Sequence, residues 1–174
     1  MDDTVPVGSA AYLCCLLLLL LGRGMDFLST WLATPNLVLE ANPLAKRLGW
    51  KWGGAMNLAI CLVFACWPLP AIVIITTSVL VAARNFQAAW LMRTLGESAY
   101  RQWMAERLHE ARRGVVVFCL LAQTVLYSAV GASLILFSQS QLVPLGVGAG
   151  IVTYAVAVAV FSALSMWRLW RRRD

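Results

Sequence analysis

The sequence predicts an all-α, polytopic membrane bundle of five transmembrane helices plus one cytoplasmic interfacial amphipathic helix. Three observations predict it. Five apolar stretches follow one another along 174 residues that are 61% hydrophobic and only 13% charged. Basic residues fall on every second connection, and tryptophans gather at the ends of the apolar stretches. A soluble domain carries about a quarter charged residues, so a mean hydropathy of +0.76 sets this chain well apart. One integral-membrane domain is expected over residues 1–174.

The first span covers about residues 9–33 and opens with Cys14-Cys15 and the run Leu16 to Leu21. The second covers about 52–67, where Pro68-Leu69-Pro70 breaks it, and the third about 71–93. The fourth covers about 115–137 and the fifth about 142–167. All but the short second have the length an α-helix needs to cross roughly 30 Å of hydrocarbon. No stretch shows the polar–apolar alternation of a barrel strand. A removable signal peptide is the rival reading of the first span. Its n-region is acidic, however, and Arg23-Gly24-Met25-Asp26 follows the leucine run in place of a small-residue cleavage site.

Orientation follows from charge. Lys46, Arg47 and Lys51 occupy the first connection, Arg101, Arg107, Arg112 and Arg113 the third, and Arg168 and Arg171 to Arg173 the C-terminus. The N-terminus, the Pro-Leu-Pro turn and Ser138–Gln141 have none. The positive-inside rule then places the N-terminus outside and the C-terminus in the cytoplasm of a prokaryotic inner membrane. Membrane lipids are the expected partners, with a homo-oligomer or a larger membrane complex as candidates. The net charge of +6 needs no nucleic acid to explain it.

Thr94-Leu95-Gly96-Glu97 fits a capping box, and Tyr100, Trp103, Met104, Leu108 and Ala111 recur after it at helical spacing. This predicts an amphipathic helix over about 95–113, lying on the cytoplasmic surface. The single histidine, His109, reads as a solvated interfacial side chain. Cys14, Cys15, Cys61, Cys66 and Cys119 all sit in apolar runs without a CxxC pair and read as small buried hydrophobes.

Polar residues inside spans are costly and point inward. Asp26 and Thr30 share one face of the first span, Arg84 and Asn85 lie at a similar depth in the third, and Gln123 and Thr124 in the fourth. Asp26 with Arg84 is a charge-neutralising pair, with Arg23 as a competitor for the same carboxylate. The stretch Thr34 to Leu44, bracketed by Pro35 and Pro43, suits a re-entrant segment that would bring Glu40 and Asn42 near Asp26. The bland alternative is a capped turn with Glu40 solvated near Lys46 and Arg47.

Asp26-Phe27-Leu28-Ser29-Thr30 followed by Glu40-Ala41-Asn42-Pro43-Leu44 resembles an Asp-x-x-Ser-Thr … Glu-x-Asn-Pro-Leu pattern of small prokaryotic integral-membrane proteins classed as a domain of unknown function. The resemblance covers about residues 22–67. It implies that Asp26, Thr30, Glu40, Asn42 and Pro43 form one unit, and it brings no activity. Patterns of lipoprotein signal peptidases, CDP-alcohol phosphotransferases and rhomboid proteases are absent.

The leading functional expectation is binding or movement of a small ion or polar solute at Asp26, Thr30, Glu40, Asn42, Arg84 and Asn85. One alternative is an accessory or assembly subunit of a membrane complex. The other is an intramembrane enzyme acting on a lipid headgroup. The sequence points to no catalytic signature, no metal-ligand set and no particular cofactor. Gly146 and Gly150 form a GxxxG step that suits close helix packing, within the bundle or between protomers.

Overall fold

The computed structural model describes residues 4–40 and 42–171. Residues 1–3, 41 and 172–174, among them the acidic start and two C-terminal arginines, lie outside the described residues. Most of the described chain is helical: α1 (Ala10–Ala33), α2 (Pro43–Phe64), α3 (Pro68–Leu95), α4 (Glu97–Glu110), α5 (Arg113–Leu136) and α6 (Leu142–Arg171). Four of them, α1, α3, α5 and α6, are long and apolar enough to cross a membrane. The chain is thus compatible with a membrane protein.

The expectation of five spans is corrected to four such helices. The apolar run predicted over about 52–67 is only the second part of α2, which begins nine residues earlier than the hydropathy suggests, at Pro43 with Asn42 as its cap. Lys46, Arg47 and Lys51 fill its first turns, and Gly49 interrupts it with φ 65° and ψ −171°, a left-handed conformation open to glycine. What remains, Trp52–Phe64, is about 20 Å long at 1.5 Å per residue, short of the roughly 30 Å of a bilayer core.

The interfacial amphipathic helix is also corrected. α4 runs from Glu97 to Glu110, but its apolar stripe is broken. At 3.6 residues per turn Arg107 falls between Trp103 and Tyr100, and Glu97 between Met104 and Leu108. Tyr100 and Leu108 are buried against the protein, whereas Trp103 and Met104 are exposed. Nor does the capping box form. The Thr94 hydroxyl donates to the Trp90 carbonyl at 2.8 Å within α3, and Gly96 (φ 79°) separates the two helices.

The helices pack in the order α2, α1, α3, α6, α5, with α2 also touching α3. α6 sits between α3 and α5 because its glycines serve both neighbours. Gly146 and Gly150 lie against Ile72 and Thr76 of α3, while Gly148 meets Gly131 of α5. The GxxxG step is therefore used within the bundle.

The bundle has two ends of different character. At one, the Val5 N–H donates to the Cys66 carbonyl at 2.8 Å and the Tyr12 hydroxyl to the Leu62 carbonyl at 3.3 Å. This ties the start of α1 to the end of α2. At the other lie the 34–42 connection, α4 and the close of α6, where Arg113 stacks on Trp170. Apart from Arg23 and Arg84, every Lys and Arg among the described residues belongs to this second end.

Candidate functional site

The polar layer expected from the sequence separates into two clusters, one on each side of α3. The rotation of α3 decides the division. Ser78 and Asn85, seven residues apart, face α1, so Arg84, turned about 100° from Asn85, faces α6.

In the first cluster Arg23 is the hub. Its Nη1 donates to Asp26 Oδ2 at 3.1 Å and to Ser78 Oγ at 3.2 Å. Its Nε donates to Asn57 Oδ1 at 2.7 Å, and Nη2 reaches the same oxygen. Asn57 in turn donates to the Gly53 carbonyl at 2.7 Å. One guanidinium thus joins α1, α2 and α3, with the Asp26 carboxylate neutralising it. Asp26 pairs with Arg23 and not with Arg84. The i,i+3 spacing on α1 puts the two groups side by side, whereas Arg84 points away from α1.

One turn further along α1, Asn85 Nδ2 donates to Ser29 Oγ at 3.3 Å and to Thr30 Oγ1 at 3.2 Å. Ser29 donates to the Asp26 carbonyl at 2.8 Å. Thr30 and Asn85 therefore meet as the sequence suggests. The Thr124 hydroxyl does not join them, because it returns to the Leu120 carbonyl of its own helix at 2.8 Å.

Glu40 and Asn42 form a local turn. The Asn42 N–H donates to Glu40 Oε1 at 2.7 Å, and the Asn42 side chain caps α2 by accepting from the Leu44 N–H at 3.0 Å. The connection folds over on itself, with Leu37 in the left-handed region at φ 56°. The Thr34 hydroxyl accepts from the Leu39 N–H at 3.1 Å, and Trp50 Nε1 donates to the Pro35 carbonyl at 2.8 Å. Phe27 meets the Trp50 ring edge-on at 4.9 Å.

The second cluster lies between α3 and α6 and reaches α5. Arg84 Nη2 donates to Ser162 Oγ at 3.3 Å, and the Tyr154 hydroxyl lies beside the same guanidinium. Tyr154 packs edge-on against Tyr127 with ring centroids 5.2 Å apart.

Asn57, Ser78, Tyr127, Tyr154 and Ser162 are members the sequence reading missed. A lone amide in the apolar half of α2 was a usable signal for Asn57. The serines carried none, since a helical hydroxyl commonly bonds its own backbone. Among the described residues no three His, Cys, Asp or Glu side chains come together as a metal site, and all five cysteines are free. Cys61 is buried as expected, but Cys14 and Cys119 are exposed on the outside of the bundle.

Comparison with protein-family models, curated proteins and solved structures finds no match for this chain. The class its own geometry supports is an all-α protein with four helices able to cross a membrane, fastened by side-chain bonds deep between them.

Proposed function

We propose that this chain is a multi-pass protein of a prokaryotic cytoplasmic membrane that serves as an accessory or assembly subunit, its first polar cluster fastening helices together. The carrying observation is the Arg23 hub. Asp26, the only carboxylate within the four apolar helices, is committed to Arg23, and Asn57 and Ser78 take up the remaining directions of the fork. A cation site or a headgroup enzyme would need the Asp26 charge, which Arg23 already neutralises. Where lipid offers no hydrophobic drive between helices, such polar contacts and close packing hold them instead.

The basic end faces the cytoplasm in this reading, as the positive-inside rule requires. The N-terminus is then outside and the C-terminus inside, which takes an odd number of passages. Besides the four long apolar helices, α2 carries the chain back through the bundle beside α1, from its charged first turns to the end tied to Val5 and Tyr12. α4 and the 34–42 connection form a charged platform at the cytoplasmic face. A cleft of about 620 Å³ opens there, lined by Arg101, Gln102, Glu106 and His109 among others.

The test is the mass of the protein extracted from its own membranes in a lipid-retaining polymer, alongside thermal unfolding of Asp26→Asn. The expected result is an assembly heavier than the chain with its lipids, and a clear loss of stability in the variant. A chain that travels alone, with Asp26→Asn as stable as the parent, would overturn the reading.

A further inference from the structure

Two arginines lie well inside the helices, and among the described residues only one of them has a carboxylate. The ion pairs among the described residues are Arg23–Asp26 and Arg107–Glu110. Arg84 sits eleven residues before Leu95, the nearer end of α3, about 16 Å along the helix. Its hydrogen-bond partner is the neutral hydroxyl of Ser162, with the neutral Tyr154 phenol close by. An uncompensated guanidinium at such depth is costly and marks a place where a counter-charge is wanted.

The surroundings specify the counter-charge. Guanidinium offers five N–H donors in a planar fork, and Ser162 occupies one. No fully buried side-chain N or O atom among the described residues lacks a partner, so any nitrogen of Arg84 left over keeps some accessible surface. Ser162 Oγ accepts from Arg84, which leaves its own proton to donate. Tyr154, only 2% exposed, brings a second hydroxyl from the inner side, and Tyr127, 37% exposed, a third at the rim. A carboxylate has two oxygens for such a set. A phosphate has enough for the fork and the hydroxyls together, and the fork matches two of its oxygens at once.

We infer that Arg84, Ser162, Tyr154 and Tyr127 form a binding site for a phosphate group between α3, α6 and α5, open sideways at Tyr127. The phosphate belongs either to a phospholipid headgroup entering from the side or to a free ion from water. The site is separate from the Arg23 hub and stands whether or not the chain is an assembly subunit.

The experiment is native mass spectrometry of the full-length protein titrated with phosphatidylglycerol or with a phosphate-free diacyl glycolipid. A parallel series of thermal unfolding uses inorganic phosphate. The expected result is one phosphatidylglycerol held in preference to the glycolipid, weakened roughly 10-fold to 100-fold in Arg84→Gln, the range for a bond to a charged group. Stabilisation by inorganic phosphate that disappears in Arg84→Gln would support the site with the free ion as its source. Equal retention of both lipids by the parent, with no effect of inorganic phosphate, would overturn it. Should Arg84→Gln not fold, Ser162→Ala and Tyr154→Phe keep the charge and still must weaken binding; unchanged affinity in both also overturns the site.

Discussion

The Glu97 carboxylate accepts the backbone N–H of Asn36 at 2.7 Å, and its other oxygen accepts that of Val38 at 3.2 Å. A first-turn residue of α4 thereby holds the connection between α1 and α2, sixty-one positions away in sequence. Hydrogen bonds to a charged acceptor contribute about 1.5–3 kcal/mol. Glu97→Ala should therefore speed amide exchange at Asn36 and Val38 by about tenfold or more and leave α1 and α3 protected. Hydrogen exchange read by mass spectrometry decides it. Unchanged protection at both amides would mean that the connection holds its shape without α4.

Tyr100, on the buried side of α4, reports on the same junction. Burial pushes its phenol above the ordinary 10.0, because the neutral form is the one that tolerates desolvation. The folded-state value is raised, so the contribution to stability is complete below pH 10 and is lost as pH rises through the raised value. The difference in tyrosinate absorbance between the parent and Tyr100→Phe isolates this residue. Its midpoint should lie above 10, and the variant should lose part of the alkaline destabilisation. A midpoint at or below 10 would place the ring in water.

Asn85 and Thr124 test the division of the polar layer. Asn85 bonds across to two hydroxyls of α1, whereas Thr124 bonds its own helix. Interhelical bonds in membranes average about 0.6 kcal/mol and reach about 1.7. Asn85→Leu should cost within that range or somewhat more, through the added bulk. Thr124→Val should be nearly neutral. Thermal unfolding in one detergent compares them, and equal losses would contradict the assigned partners.

How much of this was legible beforehand follows the physics of each signal. Hydropathy and length located α1, α3, α5 and α6 within a few residues, because crossing a bilayer demands both. α2 misled because its apolar part is continuous, while its helical start lies upstream among Lys46, Arg47 and Lys51, where hydropathy carries no signal. α4 misled because Tyr100, Trp103, Met104 and Leu108 do share an arc, yet Arg107 and Glu97 interrupt it. Depth along a helix was readable, and it drew Asp26, Arg84 and Asn85 into one layer. Rotation was not: nothing along α3 says which side meets α1. Asn85 turns to Thr30 and Arg84 turns to Ser162, so one expected site became two clusters.

Glycine at the α5–α6 contact offers the sharpest stability contrast. A Cβ on Gly131 would lie 2.7 Å from the Gly148 carbonyl oxygen, and one on Gly148 would lie 2.6 Å from that of Gly131. These are backbone atoms, so no side-chain rotation relieves the clash and the helices must separate. Gly24, in α1, has nothing within 4 Å of the same position. Gly131→Ala and Gly148→Ala should each cost about 1–3 kcal/mol, the usual range for overpacking. Gly24→Ala should be neutral or gain up to about 1 kcal/mol, since alanine is the better helix former. Thermal unfolding of the three variants in one detergent gives the comparison. If Gly131→Ala were as stable as Gly24→Ala, the close approach of α5 and α6 at this level would be wrong. The α6-centred packing order, which also carries Ser162 and Tyr154 to Arg84, would then have to be redrawn.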